Sequence, residues 1–278
     1  MKAPPFRLVR PTSIDDALAI KAQHGAAARF LAGGQSLLPI LNFRLAQPEV
    51  LIDLNGLATL GGVTEQGAVV RIGALVRHRA IAADPVLARA LPLLPATVPW
   101  IAHAAIRTRG TFGGSVALGD PAAEWPACCV ALDAVIVARS AAGERRIAAR
   151  DFFLSAYTTA LAEDELLVAV EISAVPGAQV AALEFARRRG DYALAGLVAN
   201  RHEGRVRHAF FGVADRPVRL AAVDDALSAG DVAAAQAAVT AGLDARGDAV
   251  TSVAARTQLA RVLVARAAHD LGLVRAAA

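Results

Sequence analysis

Apolar positions recur along this chain with two periods, and the changes between them mark its elements. Ile14, Leu18 and Ala22 share one helical face. Ser13 stands at the N-cap, Asp15 and Asp16 occupy the first turn where the helix dipole favours acids, and Gly25 follows as a stop. Short apolar runs read as strands over Phe6–Arg10, Ala28–Leu31 and Val50–Leu54, with a helix or turn over Leu37–Leu45. A second group holds strands over Val69–Ile72, Ala134–Ala138 and Leu166–Ile172. Its helical stretches are His78–Ala83, Val86–Leu94 and Ala122–Leu132, with Pro85 marking the first break. After Val175-Pro176-Gly177 the pattern changes. Ala182–Arg188, Ala193–Arg201 and Val206–Val213 read as a three-stranded antiparallel meander, with turn signals at Gly190-Asp191 and Glu203-Gly204. Helices over Leu220–Ala229, Val232–Leu243 and Ser252–Leu271 close the chain. The sum is an α+β protein in three segments: 1–55 and 56–176, each α/β, and 177–278, sheet then helices.

Two Gly-Gly sites interrupt this pattern. Leu31-Ala32-Gly33-Gly34-Gln35-Ser36-Leu37-Leu38-Pro39 follows a strand, and Thr111-Phe112-Gly113-Gly114-Ser115 repeats its character. Both read as tight turns, each ending in a hydroxyl residue, that can turn backbone N–H groups toward an anion. One such turn is as often a plain hairpin or helix entry; the pair suggests a cradle gripping a diphosphate from two sides. Neither matches the GxGxxG dinucleotide fingerprint, and neither carries the Lys-Ser/Thr of a nucleoside-triphosphate loop.

Composition narrows the chemistry. With 278 residues, 55% of them hydrophobic, the chain can bury a large core. No apolar run is long enough to span a bilayer, and Met1 to Pro11 lacks the apolar middle of a secretory leader, so a cytoplasmic location is expected. The net charge of +4 is spread as scattered arginines, with one run at Arg187-Arg188-Arg189 and only 5% aromatics, a poor basis for nucleic-acid binding. Two cysteines, adjacent at Cys128 and Cys129, are too few to hold a two-iron cluster, which takes about four. They read as helix core. The six histidines show no ligand or triad spacing and read as surface or structural.

Both Gly-Gly segments resemble the two flavin signatures of the FAD-binding medium subunit of molybdenum hydroxylases, the carbon monoxide dehydrogenase and xanthine dehydrogenase family. Three more segments agree in order: Asp120-Pro121-Ala122-Ala123-Glu124, Ala186-Arg187-Arg188-Arg189-Gly190-Asp191-Tyr192-Ala193, and Gly212-Val213-Ala214-Asp215-Arg216-Pro217-Val218-Arg219. The resemblance spans nearly the whole chain. It implies a vanillyl-alcohol-oxidase-type fold in which two α/β subdomains hold FAD and the C-terminal segment closes over it. It implies diphosphate contacts from Leu31, Ala32, Gly33, Gly34, Gln35, Ser36, Leu37 and Leu38 on one side. Thr111, Gly113, Gly114 and Ser115 would complete the cradle. Ile101 would pack near the flavin, Glu124 would reach the ribityl chain or ring, and Tyr192 would screen the ring. Glu124 stands where Asp is usual, Phe112 where Ile or Val is usual, and Ser115 where Asn is usual.

By the same resemblance the chain is an electron-transfer oxidoreductase subunit without a catalytic base. Partners would be a small subunit with two-iron iron–sulfur clusters and a large subunit with the molybdenum cofactor, in a dimer of heterotrimers serving an external electron acceptor. A self-sufficient flavin oxidoreductase of the same fold remains the alternative.

Overall fold

The computed structural model describes residues 2–274; residue 1 and residues 275–278, the outer ends of the first and third predicted segments, lie outside the described residues. Three sheets of three or more strands organise the chain, beside a two-stranded hairpin, Phe153–Ser155 and Thr158–Thr159. The first is parallel, with Val50–Asp53 between Arg7–Val9 and Ala28–Leu31. Its outer strands are joined by the helix Ile14–His24, where Ser13 Oγ accepts the Asp16 amide and Gly25 ends the helix at φ 50°. Parallel strands need such a crossover.

The second sheet is antiparallel, in the order Val63–Gln66, Val69–Gly73, Leu166–Ser173, Val135–Ser140, Gly143–Ala148. Its middle strand, Leu166–Ser173, is buried through Ile172, as a strand covered on both faces must be. The two edge strands were absent from the periodicity. Thr64, Glu65, Gln66, Glu144, Arg145 and Arg146 are exposed, so these strands have little apolar alternation to read, and their charges blunt the sheet edge.

The third sheet is the expected meander, Gln179–Phe185, Ala195–His202 and Arg205–Phe211. Its first strand lies three residues earlier than the apolar pattern suggested. Arg187-Arg188-Arg189 therefore falls in an exposed loop after the strand and not on a strand face. Helices Ala221–Ser228, Val232–Gly242 and Val253–Asp270 pack on one face of this sheet around Phe210, Leu227, Val239 and Leu263. The other face joins the core of the second sheet through Val198, Ala209 and Phe211.

Two further boundaries differ from expectation. The stretch over Val86–Leu94 is two helices, Pro85–Ala90 and Leu93–Thr97, because Pro92 lacks the amide a continuous helix would need. The second Gly-Gly site is not a turn. Phe112–Leu118 is a helix capped by Thr111, whose hydroxyl accepts the Gly114 amide at 3.1 Å.

Candidate functional site

The first Gly-Gly loop leaves the strand Ala28–Leu31 and enters the short helix Leu37–Asn42. Its two glycines serve different ends. Gly34 sits at φ +73°, the left-handed region that other residues avoid. Gly33 is there for proximity: a Cβ on it would lie 2.4 Å from the carbonyl oxygen of Arg109 and 2.8 Å from Cα of Gly110. The two Gly-Gly segments are thus brought together backbone to backbone. Asn55 ties the arrangement from behind, donating to the Ala32 carbonyl at 2.9 Å and accepting from Arg77, which also donates to the Arg109 carbonyl.

The second segment is fastened to the middle sheet. Phe112 N–H donates to Val76, and Gly113 N–H donates to Ala74 at 2.9 Å. A Cβ on Gly113 would lie 2.6 Å from Cα of Ala74. These amides are spoken for, so the segment does not offer the row of donors that a Gly-Gly turn suggested. It offers a bare helix surface with the Ser115 side chain. The first loop supplies the donors instead. Among the described residues, the amides of Gly34, Gln35, Ser36 and Leu37 have no acceptor within the chain. Gly34 is buried, Gln35 and Leu37 are half-buried and Ser36 is exposed, so these unpaired amides are free to meet a ligand or water.

Between the segments lies a cavity of about 700 Å³. Ala32, Gly33, Gly34, Gln35, Ser36 and Leu37 wall it on one side, and Thr111, Gly113, Gly114 and Ser115 on another. Ile101, Glu124 and Tyr192 also line it, so thirteen of the fifteen expected site residues meet there. Leu31 and Leu38 do not. Their side chains pack beside Gly34, 3.4 and 3.1 Å from where its Cβ would be, and hold the loop's shape from outside the wall.

The wall includes residues that the sequence reading did not single out: Arg29, Ala74, His78, Asp120, Tyr157 and Asp191. Asp120 belonged to a quoted segment, but nothing in spacing marked Tyr157 or His78 as cavity residues. The mouth is formed where chain segments distant in sequence cross. Gly212 donates to the Pro121 carbonyl at 2.8 Å, docking the third sheet's corner on the Asp120 segment. Gly190, at φ +86°, packs against His103 and Ala102. Tyr192, 73% exposed, and Tyr157, 63% exposed, stand at the rim.

The electrostatics are those of a site short of counter-charge for acids. Burial pushes the Glu124 carboxyl up to about 8, with Glu184 and Asp120 adding to the effect. Burial likewise raises Glu184 to about 7 and raises Asp120 despite the Ala122 amide it accepts. Burial and the Asp120 charge raise both rim tyrosines. Burial, with Arg77 and Arg107 nearby, lowers His78 to about 4. At neutral pH Glu124 is therefore protonated and the His78 imidazole is neutral. Cys128 and Cys129 are fully buried in the helix Glu124–Ala131, where burial raises both thiols, so they are inert core.

The FAD binding domain of molybdopterin dehydrogenases matches this chain over residues 4–174. That is more than half the chain, and it contains both Gly-Gly segments and most of the cavity wall. The chain belongs to this family. Among proteins, this family member is 37% identical over 278 residues to the 6-hydroxypseudooxynicotine dehydrogenase complex subunit alpha of Paenarthrobacter nicotinovorans, covering 96% of this chain and 94% of that one. It is 36% identical over 197 residues to the carbon monoxide dehydrogenase medium chain of Hydrogenophaga pseudoflava, covering 70% of this chain and 69% of that one. Among solved structures, carbon monoxide dehydrogenase from Hydrogenophaga pseudoflava superposes with a TM-score of 0.93 at 34% identity, covering 98% of this chain and 99% of that one. Quinoline 2-oxidoreductase from Pseudomonas putida 86 gives 0.89 at 35% identity, again covering 98% and 99%. This FAD-binding medium subunit of the molybdenum-hydroxylase type is thus an oxidoreductase component. Among its described residues no helix is long and apolar enough to cross a membrane, and no group of three or more His, Cys, Asp or Glu is placed to hold a metal ion.

Proposed function

We propose that this chain is the electron-exit subunit of a molybdenum hydroxylase. It would take electrons from iron–sulfur clusters of a small partner and pass them to an external acceptor, while a large partner with the molybdenum cofactor hydroxylates the substrate. The complex would be a dimer of heterotrimers in the cytoplasm. Residues 1–55 and 56–176 would form the two FAD-binding subdomains of a vanillyl-alcohol-oxidase-type fold, and residues 177–278 the segment that closes over them.

The row of unpaired amides from Gly34 to Leu37, opening on a cavity of about 700 Å³, carries this reading. The residues fit FAD. The amides are neutral donors suited to a diphosphate, and Gly113 and Gly114 leave the facing wall bare. Arg29, on the strand that enters the first loop, adds a cation to the cavity lining. When bound, the flavin supplies electron storage and release. The chain supplies placement. Thr111 fixes the helix that presents Gly114 and Ser115, while Tyr157 and Tyr192 restrict the mouth. Glu124, protonated at neutral pH, would offer a donor to the ribityl chain or ring.

The relatives' names run from carbon monoxide to nicotine and caffeine. The substrate would therefore be set in the large partner, not by this cavity. Purified full-length chain tests the reading. It should take up FAD near one equivalent, turn yellow, and oxidise no simple aldehyde or heteroaromatic alone. Colourless protein that rejects FAD would sink the proposal, and turnover without partners would replace it with the self-sufficient oxidoreductase.

A further inference from the structure

We propose that His78 is an additional FAD-binding residue, a neutral hydrogen-bond donor whose orientation is fixed by Trp125. The inference rests on the FAD reading and extends it to a residue outside both Gly-Gly segments. His78 begins the helix His78–Ala83 and is only 5% exposed, yet it lines the cavity.

One edge of its ring is engaged. Trp125 Nε1 donates to His78 Nδ1 at 2.9 Å. An indole N–H can only donate, so Nδ1 must be the bare acceptor nitrogen of a neutral imidazole, and the proton must sit on Nε2. Trp125 is fully buried, with the Phe112 ring edge-on at 5.2 Å, so it has little freedom to release the bond. The opposite edge is not engaged. Nε2 makes no hydrogen bond among the described residues, and it lies against Gly110, itself a cavity-wall residue. A Cβ on Gly110 would come within 2.5 Å of Nε2. Gly110 is glycine because the His78 ring occupies that space, and Nε2 is left without an acceptor among the described residues. Nε2 is not sealed from solvent, so this donor is open to an acceptor that a ligand brings into the cavity. The carbonyls of Ile101, Ala102 and Ile106, which also line the cavity, already accept from Arg107 and Gly110, which leaves Nε2 to an acceptor on the ligand.

His78→Phe keeps a ring and removes the donor. Trp125→Phe keeps an aromatic filler and removes the group that holds Nδ1, which frees the ring to flip its tautomer. In the full-length chain, FAD titrated by flavin fluorescence should bind His78→Phe about 10-fold or more weakly. Trp125→Phe should bind it more weakly than wild type but less so than His78→Phe. Long-range ¹H–¹⁵N spectra of the imidazoles give a readout that a purely packing role would not move. The wild-type chain should show a neutral Nε2–H tautomer at His78, whose Nε2–H resonance shifts on adding FAD. Wild-type FAD affinity in His78→Phe, or a His78 signal indifferent to FAD, overturns the inference while leaving the FAD reading intact. Wild-type chain that takes up no FAD overturns the reading beneath both.

Discussion

Gly33→Ala asks whether the two Gly-Gly segments act as one unit. The added methyl would stand 2.4 Å from the Arg109 carbonyl oxygen and 3.0 Å from its carbonyl carbon. Ordinary contact needs about 1 Å more, and the atoms in the way are backbone, which cannot rotate aside as a side chain does. The segments must therefore part. Overpacking of this kind costs typically about 1–3 kcal/mol. At about 2–4 °C per kcal/mol for a chain of this order of size, the Tm of the FAD-free protein should fall by roughly 2–12 °C. Binding should suffer in addition, because a displacement of about 1 Å is large against hydrogen-bond tolerances of a few tenths of an ångström. FAD affinity, measured by fluorescence titration at a temperature well below the lowered Tm, should drop at least about 10-fold. Gly56→Ala is the control, since nothing lies within 4 Å of its added Cβ. If Gly33→Ala matches that control in both Tm and FAD affinity, the close approach has no functional weight.

Other expectations follow from the same geometry. Gly34→Val forces a β-branched residue to φ +73° and into Leu38, 3.1 Å from the Cβ position, so flavin absorbance of the purified variant should be lost. Tyr192→Ala, at a largely exposed rim position, should hold FAD within roughly threefold of wild type, yet change the rate at which oxygen reoxidises the reduced flavin in stopped flow. Glu124, raised to about 8, binds more protons folded than unfolded, so it withdraws stability as pH climbs from its ordinary range near 4.5 toward 8. The Tm of FAD-free Glu124→Gln should accordingly fall less than that of wild type between pH 5 and pH 8. Asp224 is buried, accepting from Arg219 at 2.6 Å and from the His208 amide at 3.0 Å, with His208 Nδ1 at 2.5 Å. Asp224→Ala should therefore lower stability by about 3–5 kcal/mol in urea titration.

Much of this arrangement was visible in the order of residues. Ser13, Gly25 and the apolar face between them specify a helix by local chemistry alone, and it forms where they place it. The buried strands announce themselves as apolar runs, as in Leu166–Ser173. Edge strands such as Gly143–Ala148 escaped because their polar faces meet water and their pairing is decided by a neighbour, Val135–Ser140. The second Gly-Gly site misled for a related reason. Glycine in sequence suggests unusual φ, but Gly113 has helical neighbours and is glycine because Ala74 lies against it. Proximity between segments far apart in the chain leaves no local trace. The same holds for His78 and Trp125, which are 47 residues apart and meet only through packing. Resemblance located the cavity; it did not reveal that the amide row lies wholly on one side of it.

The cavity wall draws on stretches around Arg29, Ala74, Thr111, Tyr157 and Tyr192, which belong to or adjoin all three sheets. Whatever fills it is therefore a keystone, touching parts of the chain that otherwise meet along separate seams. A ligand present at a hundred times its Kd adds about 2.7 kcal/mol to the folded state. Here that increment is shared by the sheets that wall the cavity rather than lodged in one, so heating the loaded chain should show one transition for all of them.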